Sequence, residues 1–347
     1  PNHDFKASTS ELSHMESTTE NFKSRILGGE VFEGLALEIF RFQATNCQVY
    51  ASYLDLLKVN AEEITSISQI PFLPVEAFKS NKVVTGDFKH EAVFKSSGTT
   101  NSSRSHHYVR SLDWYHKVSK KIYSDLIAPV SVTTWVGLLP GYLERGDSSL
   151  VAMVKSFMDE SGSDENFFMH EHAGLNELIE RTEGSITLMG VTHAILNWLE
   201  GGSSFDFDEE VIQRLTIIET GGMKGHGREP IRAEVHERIR AKLRGVTILS
   251  EYGMTELLSQ AYSTDGKYFS CPPWIKILIK DTADPMCELE RGRTGRVQII
   301  DLANVDSCSF ISTSDLGRMH DEEASEQFEI LGRFDHSEVR GCNLLSV

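Results

Sequence analysis

The chain has 347 residues, 40% of them apolar and 24% charged, which is enough for two ordinary domains around a large core. Lys plus Arg is 34 and Asp plus Glu is 51, so the net charge is −17, which disfavours nucleic acid or an anionic membrane surface as the main partner. No apolar run reaches the roughly 18 residues of a membrane span, and the polar start carries no signal-peptide pattern.

The first 30 or so residues read as frayed or weakly helical. From Glu30 to Leu57 apolar residues recur at helical spacing, among them Val31, Leu35, Ile39 and Phe40. Pro71 and Pro74 then stop any helix. Strand and helix patterns alternate after that. Strands are expected at 92–97, 133–140, 185–190, 214–220 and 246–250. Helices are expected at 111–127, 148–160, 192–200 and 228–243, the second capped by Ser148 or Asp147. This order predicts an α/β fold with helices over a largely parallel sheet. Beyond Tyr262, short apolar runs separated by Gly, Asp and Pro predict a β-rich subdomain. The expected division is an α/β core with a helical N-terminal segment over 1–262, a β-rich subdomain over 263–331 and a short tail over 332–347.

Five cysteines (Cys47, Cys271, Cys287, Cys308 and Cys342) form no CxxC pair and leave an odd count. Neither a disulfide framework nor a zinc pattern follows, and a reducing cytoplasm is the simplest reading. Cys271, Cys287 and Cys308 read as small packing residues.

Five short segments carry chemistry. Lys95 to Arg104, KSSGTTNSSR, follows a strand. Its backbone N–H groups and the hydroxyls of Ser96, Ser97, Thr99 and Thr100 can donate to phosphate oxygens, and Gly98 permits the turn. Arg104 can neutralise charge. A polar surface loop is the plain alternative. Glu219 to Met223, ETGGM, places Gly221 and Gly222 at a strand's carboxyl end, where open α/β sheets bind ligands. A tight turn explains that pair equally well. Ser250 to Glu256, SEYGMTE, offers the aromatic face of Tyr252, the hydroxyl of Thr255 and the Glu256 carboxylate, a group Mg²⁺ takes beside phosphates. Asp315 in STSDLGR can accept both hydroxyls of a ribose. Arg333 stands in GRFD, and Cys342 follows in VRGC.

In order, these segments resemble the adenylate-forming superfamily of acyl-CoA ligases, luciferases and peptide-synthetase adenylation domains, whose pattern is SSGTTGxPK, a GG segment, YGxTE, [ST]xDLGR and GRxDxxVK. The resemblance covers about residues 91–342. The wording FLPVEAFKS, FKSSGTT, LPGYLERGDSSL, ETGGMKG, SEYGMTELLSQAY and EVRGCNL is similar to the LuxE-type acyl-protein synthetases. Three loop positions depart from the pattern: Asn101, Ser103 and Arg104 stand for Gly, Pro and Lys. No lysine follows Lys280, so the superfamily's C-terminal domain with its catalytic lysine is expected to be reduced to a short tail. Lys95, Arg104, His106 and His107 are the candidates to replace that lysine.

The resemblance implies the large-domain fold of an adenylate-forming enzyme, using ATP and Mg²⁺. It implies activation of a carboxylic acid, fatty acids foremost, as an acyl-adenylate. The acyl group would then pass to Cys342 and on to a partner protein such as an acyl reductase. Ser96 to Thr100 would hold the phosphates. Gly221, Gly222, Met223, Tyr252, Gly253 and Met254 would hold adenine, and Thr255 the α-phosphate. Glu256 would hold the metal, Asp315 the ribose, and Arg333 the hinge near it. Gly190 and His193 would line the acyl pocket. A stand-alone acyl-CoA ligase and a non-catalytic nucleotide-binding subunit are the alternatives.

Overall fold

The computed structural model describes residues 9–97, 104–140, 146–164, 166–168, 172–201, 207–221 and 230–334. Helix α1 (Thr9–Leu27) comes first, followed by α2 (Phe32–Asn46) and α3 (Gln48–Leu57). The 19-residue α1 is firmer than its composition suggests, because tertiary contacts hold it. Phe22 and Ile26 are buried, and the Lys23 ammonium meets Asp306 at 2.8 Å with both side chains nearly inaccessible. The helical pattern over 30–57 breaks into two helices at Cys47, whose backbone is extended (φ −100, ψ 99).

Next come strand β1 (Leu73–Pro74), the one-turn α4 (Ala77–Ser80), the hairpin strands β2 (Ala92–Lys95) and β3 (His106–Val109), and α5 (Leu112–Leu126). Ser111 starts α5 by accepting the Trp114 N–H at 3.2 Å. The chain continues through β4 (Thr134–Leu138), α6 (Ser149–Ser161), β5 (Phe167–Phe168), α7 (His172–Arg181), β6 (Ile186–Gly190), α8 (Thr192–Glu200), α9 (Glu209–Gln213), β7 (Leu215–Glu219), α10 (Arg232–Lys242) and β8 (Thr247–Tyr252). Ser148, not Asp147, caps α6, accepting the Val151 N–H, and Gly162 ends that helix at φ +69.

The six-stranded sheet runs β5-β4-β6-β7-β8-β9, where β9 is Ala261–Ser263. It is parallel except for the β8/β9 pair. Every residue of β6 is buried, as a strand covered on both faces requires. Trp135, Tyr123 and Phe157 pack on one another beside it.

The last strands are β10 (Ile275–Lys280), β11 (Gly295–Asp301), β12 (Phe310–Met319) and β13 (Phe328–Arg333). They form the second sheet, ordered β1-β12-β11-β10 with β13 also on β12. The early segment around Pro74 therefore pairs with Ile311 and Ser312, far along the chain. Phe40, Tyr50 and Phe72 close over Phe310 on the same side. Cys47 and Cys308 are buried there, whereas Cys287 is exposed and does not pack as its composition suggests. Among the described residues no helix is long and apolar enough to cross a membrane.

Candidate active site

The register of the parallel sheet sets Gly190, Glu219 and Ser250 level at the carboxyl ends of β6, β7 and β8. Open α/β sheets bind ligands at this edge. Gly190 is required by packing: a Cβ there would fall 2.9 Å from Ile195 Cγ1 and 3.2 Å from the Leu138 carbonyl. His193 lies buried in the first turn of α8. Gly221 turns the chain at φ +70, and its carbonyl accepts the Thr192 N–H at 3.1 Å.

Glu219 organises this corner. Its carboxylate accepts from the Gly221 N–H at 3.0 Å and from Arg232 at 2.8 Å, with His236 at 3.7 Å. Burial alone would raise its pKa. His236, Arg232, Ser250 and the Gly221 N–H together hold it down to about 2. Sequence reading treated Glu219 only as a strand end.

One residue after Ser250, Glu251 behaves in the opposite way. Burial, with the Glu219 charge nearby, pushes its pKa up to about 8. Tyr252 then reaches the second sheet, where its hydroxyl donates to Asp315 Oδ2 at 2.7 Å. The β12/β13 register places Arg333 opposite Asp315, with Nε 3.7 Å from Oδ1 and a side chain 86% exposed. Three residues from separate motifs thus share one point between the sheets.

The segment after Tyr252 is held by its backbone. His107 Nδ1–H donates to the Thr255 carbonyl at 2.8 Å, and Asn304 donates to the Glu256 carbonyl at 2.8 Å. The buried Asp301 carboxylate accepts the N–H groups of Leu258 and Ser259, both at 3.0 Å. Burial pushes His107 down to about 4 despite its bonds to Thr255 and Asn304, so the ring is neutral near pH 7. His107 is therefore a tether for this segment and brings no cation to a phosphate. Asp301 and Asn304 were missed by sequence reading, because nothing local marks a side chain that serves a backbone 40 residues away.

Glu256 is buried, and burial raises its carboxyl against help from the Ser105 hydroxyl, with Arg333 and Lys79 acting from farther off. It makes no ion pair with a described residue. Among the described residues no group of three or more His, Cys, Asp or Glu is placed to hold a metal ion. The lone carboxylate still fits Mg²⁺, which needs one or two protein carboxylates when phosphates complete its shell.

At the phosphate loop, Ser96 accepts the Ser105 N–H at 3.0 Å on its hydroxyl, and Ser97 is exposed. Gly98, Thr99 and Thr100 lie outside the described residues, as do Gly222, Met223, Arg340 and Cys342. Arg104 turns back onto the base of the loop. It donates to the Ser96 carbonyl at 2.6 Å and to Asp147 at 3.1 Å. Lys95 also meets Asp147, at 3.5 Å. Asp147, expected as a helix cap or turn residue, instead binds both basic groups of the loop.

No family model matches the chain. Solved structures share its fold. ATP-bound MatB from Rhodopseudomonas palustris superposes with a TM-score of 0.54 at 20% identity, over 72% of this chain and 50% of that one. A 2-hydroxyisobutyryl-CoA ligase in complex with 2-HIB-AMP and CoA gives 0.67 at 13% identity, over 90% and 70%. The chain therefore has the fold of the adenylate-forming enzymes, the superfamily its motifs resemble. Among curated proteins it is 38% identical over 66 residues to the long-chain-fatty-acid–luciferin-component ligase of Photorhabdus luminescens, covering 19% of this chain and 56% of that protein. It thus spans little more than half of that relative and about half of MatB.

Proposed function

We propose that the protein activates a carboxylic acid with ATP to give an acyl-adenylate and pyrophosphate, and then hands the acyl group to the Cys342 thiol and on to a partner protein such as an acyl reductase. The observation that carries this reading is the junction of Tyr252, Asp315 and Arg333 beside the buried Glu256. A nucleoside would sit at that junction. The Asp315 carboxylate would accept the ribose hydroxyls. Tyr252, Gly253, Met254 and the Gly221–Met223 turn would border the base. The Ser96–Thr100 loop would take the phosphates, with Thr255 at the α-phosphate. Glu256 would hold Mg²⁺, which when bound supplies positive charge to the phosphates.

Fatty acids are the first substrates to try, because the curated relative is named as a fatty-acid ligase. In the second step the thiolate attacks the mixed anhydride carbonyl, forming a thioester and releasing AMP. ATP–pyrophosphate exchange across a panel of carboxylic acids tests the first step. Hydroxylamine-sensitive labelling of the protein tests the second. Cys342→Ser is expected to keep exchange and lose the label. No acid-dependent exchange would support a non-catalytic nucleotide-binding subunit, and turnover only with added CoA would support a CoA ligase.

A further inference from the structure

A row of polar groups without partners crosses the sheet edge beneath α5. Thr220 follows β7 and continues the ladder, its N–H donating to the Gly190 carbonyl at 3.1 Å. It stands one residue past the Glu219–Ser250 pair, as Glu251 does, and strand alternation continued by that residue turns it to the face opposite Glu219. Glu251 pairs across the strands with Tyr262 on that same face. Gln260, two residues before Tyr262, shares the face as well. The Tyr262 ring lies 5.6 Å from Tyr123 of α5.

The Thr220 hydroxyl, the Tyr262 hydroxyl and Gln260 Oε1 are buried with no hydrogen-bond partner. The Glu251 residue is 7% exposed, and only burial and the Glu219 charge act on its carboxyl. A row of this kind is costly unless something satisfies it. It also lies next to the proposed nucleotide site. A Cβ at the exposed Gly253 would fall 2.4 Å from Glu251 Oε1 and 3.5 Å from Gln260 Cγ. Only the bare backbone of the exposed Gly253 therefore lies over the buried carboxyl on that side.

We propose that Thr220, Glu251, Gln260 and Tyr262 form the specificity face of the acid site and hydrogen-bond a polar substituent of the substrate, so that the preferred acid carries a hydroxyl or amino group. This rests on the adenylation reading and narrows it. A plain hydrocarbon chain would leave all four groups unsatisfied. A hydroxyl or amino group can both donate and accept, which matches a row of two hydroxyls, one amide oxygen and one carboxyl. A site built around such a bond discriminates strongly against the analogue that lacks it.

The test is acid-dependent ATP–pyrophosphate exchange with octanoate and its 2-hydroxy, 3-hydroxy, 2-amino and 3-amino derivatives. The intact protein is expected to favour at least one substituted acid over octanoate by roughly tenfold or more in kcat/KM. The hydroxy and amino arms identify which donor is read. In Tyr262→Phe and Glu251→Leu that ratio should fall toward one, and Glu251→Gln should retain part of it. Tyr262→Phe removes only an unpartnered oxygen, so it keeps the test in hand if Glu251→Leu fails to fold. Octanoate used as well as every derivative would overturn the inference and leave the adenylation reading standing. So would a ratio that neither variant moves, the result expected if ordered water fills the row. Exchange with none of the acids would remove both readings.

Discussion

The Tyr252 hydroxyl donates to Asp315 Oδ2 at 2.7 Å, joining the last parallel strand of one sheet to the longest strand of the other. The bond fixes the Asp315 carboxylate before any nucleotide arrives. Arg333, opposite it in the strand register, adds charge without burial.

Asp315→Asn is expected to weaken ATP binding chiefly. Hydrogen bonds to a charged acceptor contribute about 1.5–3 kcal/mol, roughly a tenfold to hundredfold change in affinity. Calorimetric titration of ATP into the folded variant measures this. Unchanged affinity would remove Asp315 from the ribose.

Glu256→Gln is expected to lower acid-dependent exchange by on the order of 10², because a charge partner of the reacting phosphates is lost. The side chain keeps its shape, so thermal stability should hold or rise slightly as a buried charge is removed. Exchange equal to the wild type would take the metal role away from Glu256.

The pH dependence of stability separates three buried groups. Glu219 titrates near 2 in the fold against 4.5 ordinarily, so its stabilisation is complete above 4.5 and lost as pH falls toward 2. His107 titrates near 4 against 6.5, so its contribution is complete above 6.5 and lost as pH falls toward 4. Glu251 has the reverse sign: it stays protonated to about 8, so its ionisation erodes stability as pH rises from 4.5 and the loss levels off above 8. Of these three, only Glu251 titrates between 6.5 and 8. Urea denaturation should show stability falling over that window by on the order of 2 kcal/mol, with a flatter profile in Glu251→Gln. A wild-type profile as flat as that of the variant contradicts the assignment.

Asp306 receives Lys23 of α1 at 2.8 Å and Arg110 at 3.4 Å. Asp306→Ala leaves the buried Lys23 ammonium with only the exposed Glu20 carboxylate, at 2.9 Å, and should cost about 3 kcal/mol, the low end for a buried pair that loses one partner. Limited proteolysis would then cut first within α1. A variant with unchanged stability and an uncut α1 would show that this pair does not dock the helix.

Most of the alternation of strands and helices is legible in the sequence, because the patterns of segments such as ITLMG and THAILNWLE are local and their periods differ, whereas β3, β5, α7 and α9 are not. The short segments that offer glycine, hydroxyl and carboxylate groups are legible as well, because that chemistry is written in the residues themselves. Only the tertiary structure decided which charges are held and which are unmet. Glu219 and Glu251 are both glutamates at strand ends, yet one meets Arg232, His236 and a backbone N–H while the other is buried with only the Glu219 charge acting on it. Asp147 left the cap position that composition suggested and took Lys95 and Arg104, while α1 is docked by Asp306, which lies more than 280 residues beyond Lys23 in the chain. Burial, register and pairing are sums over neighbours distant in sequence, and no local pattern encodes those sums.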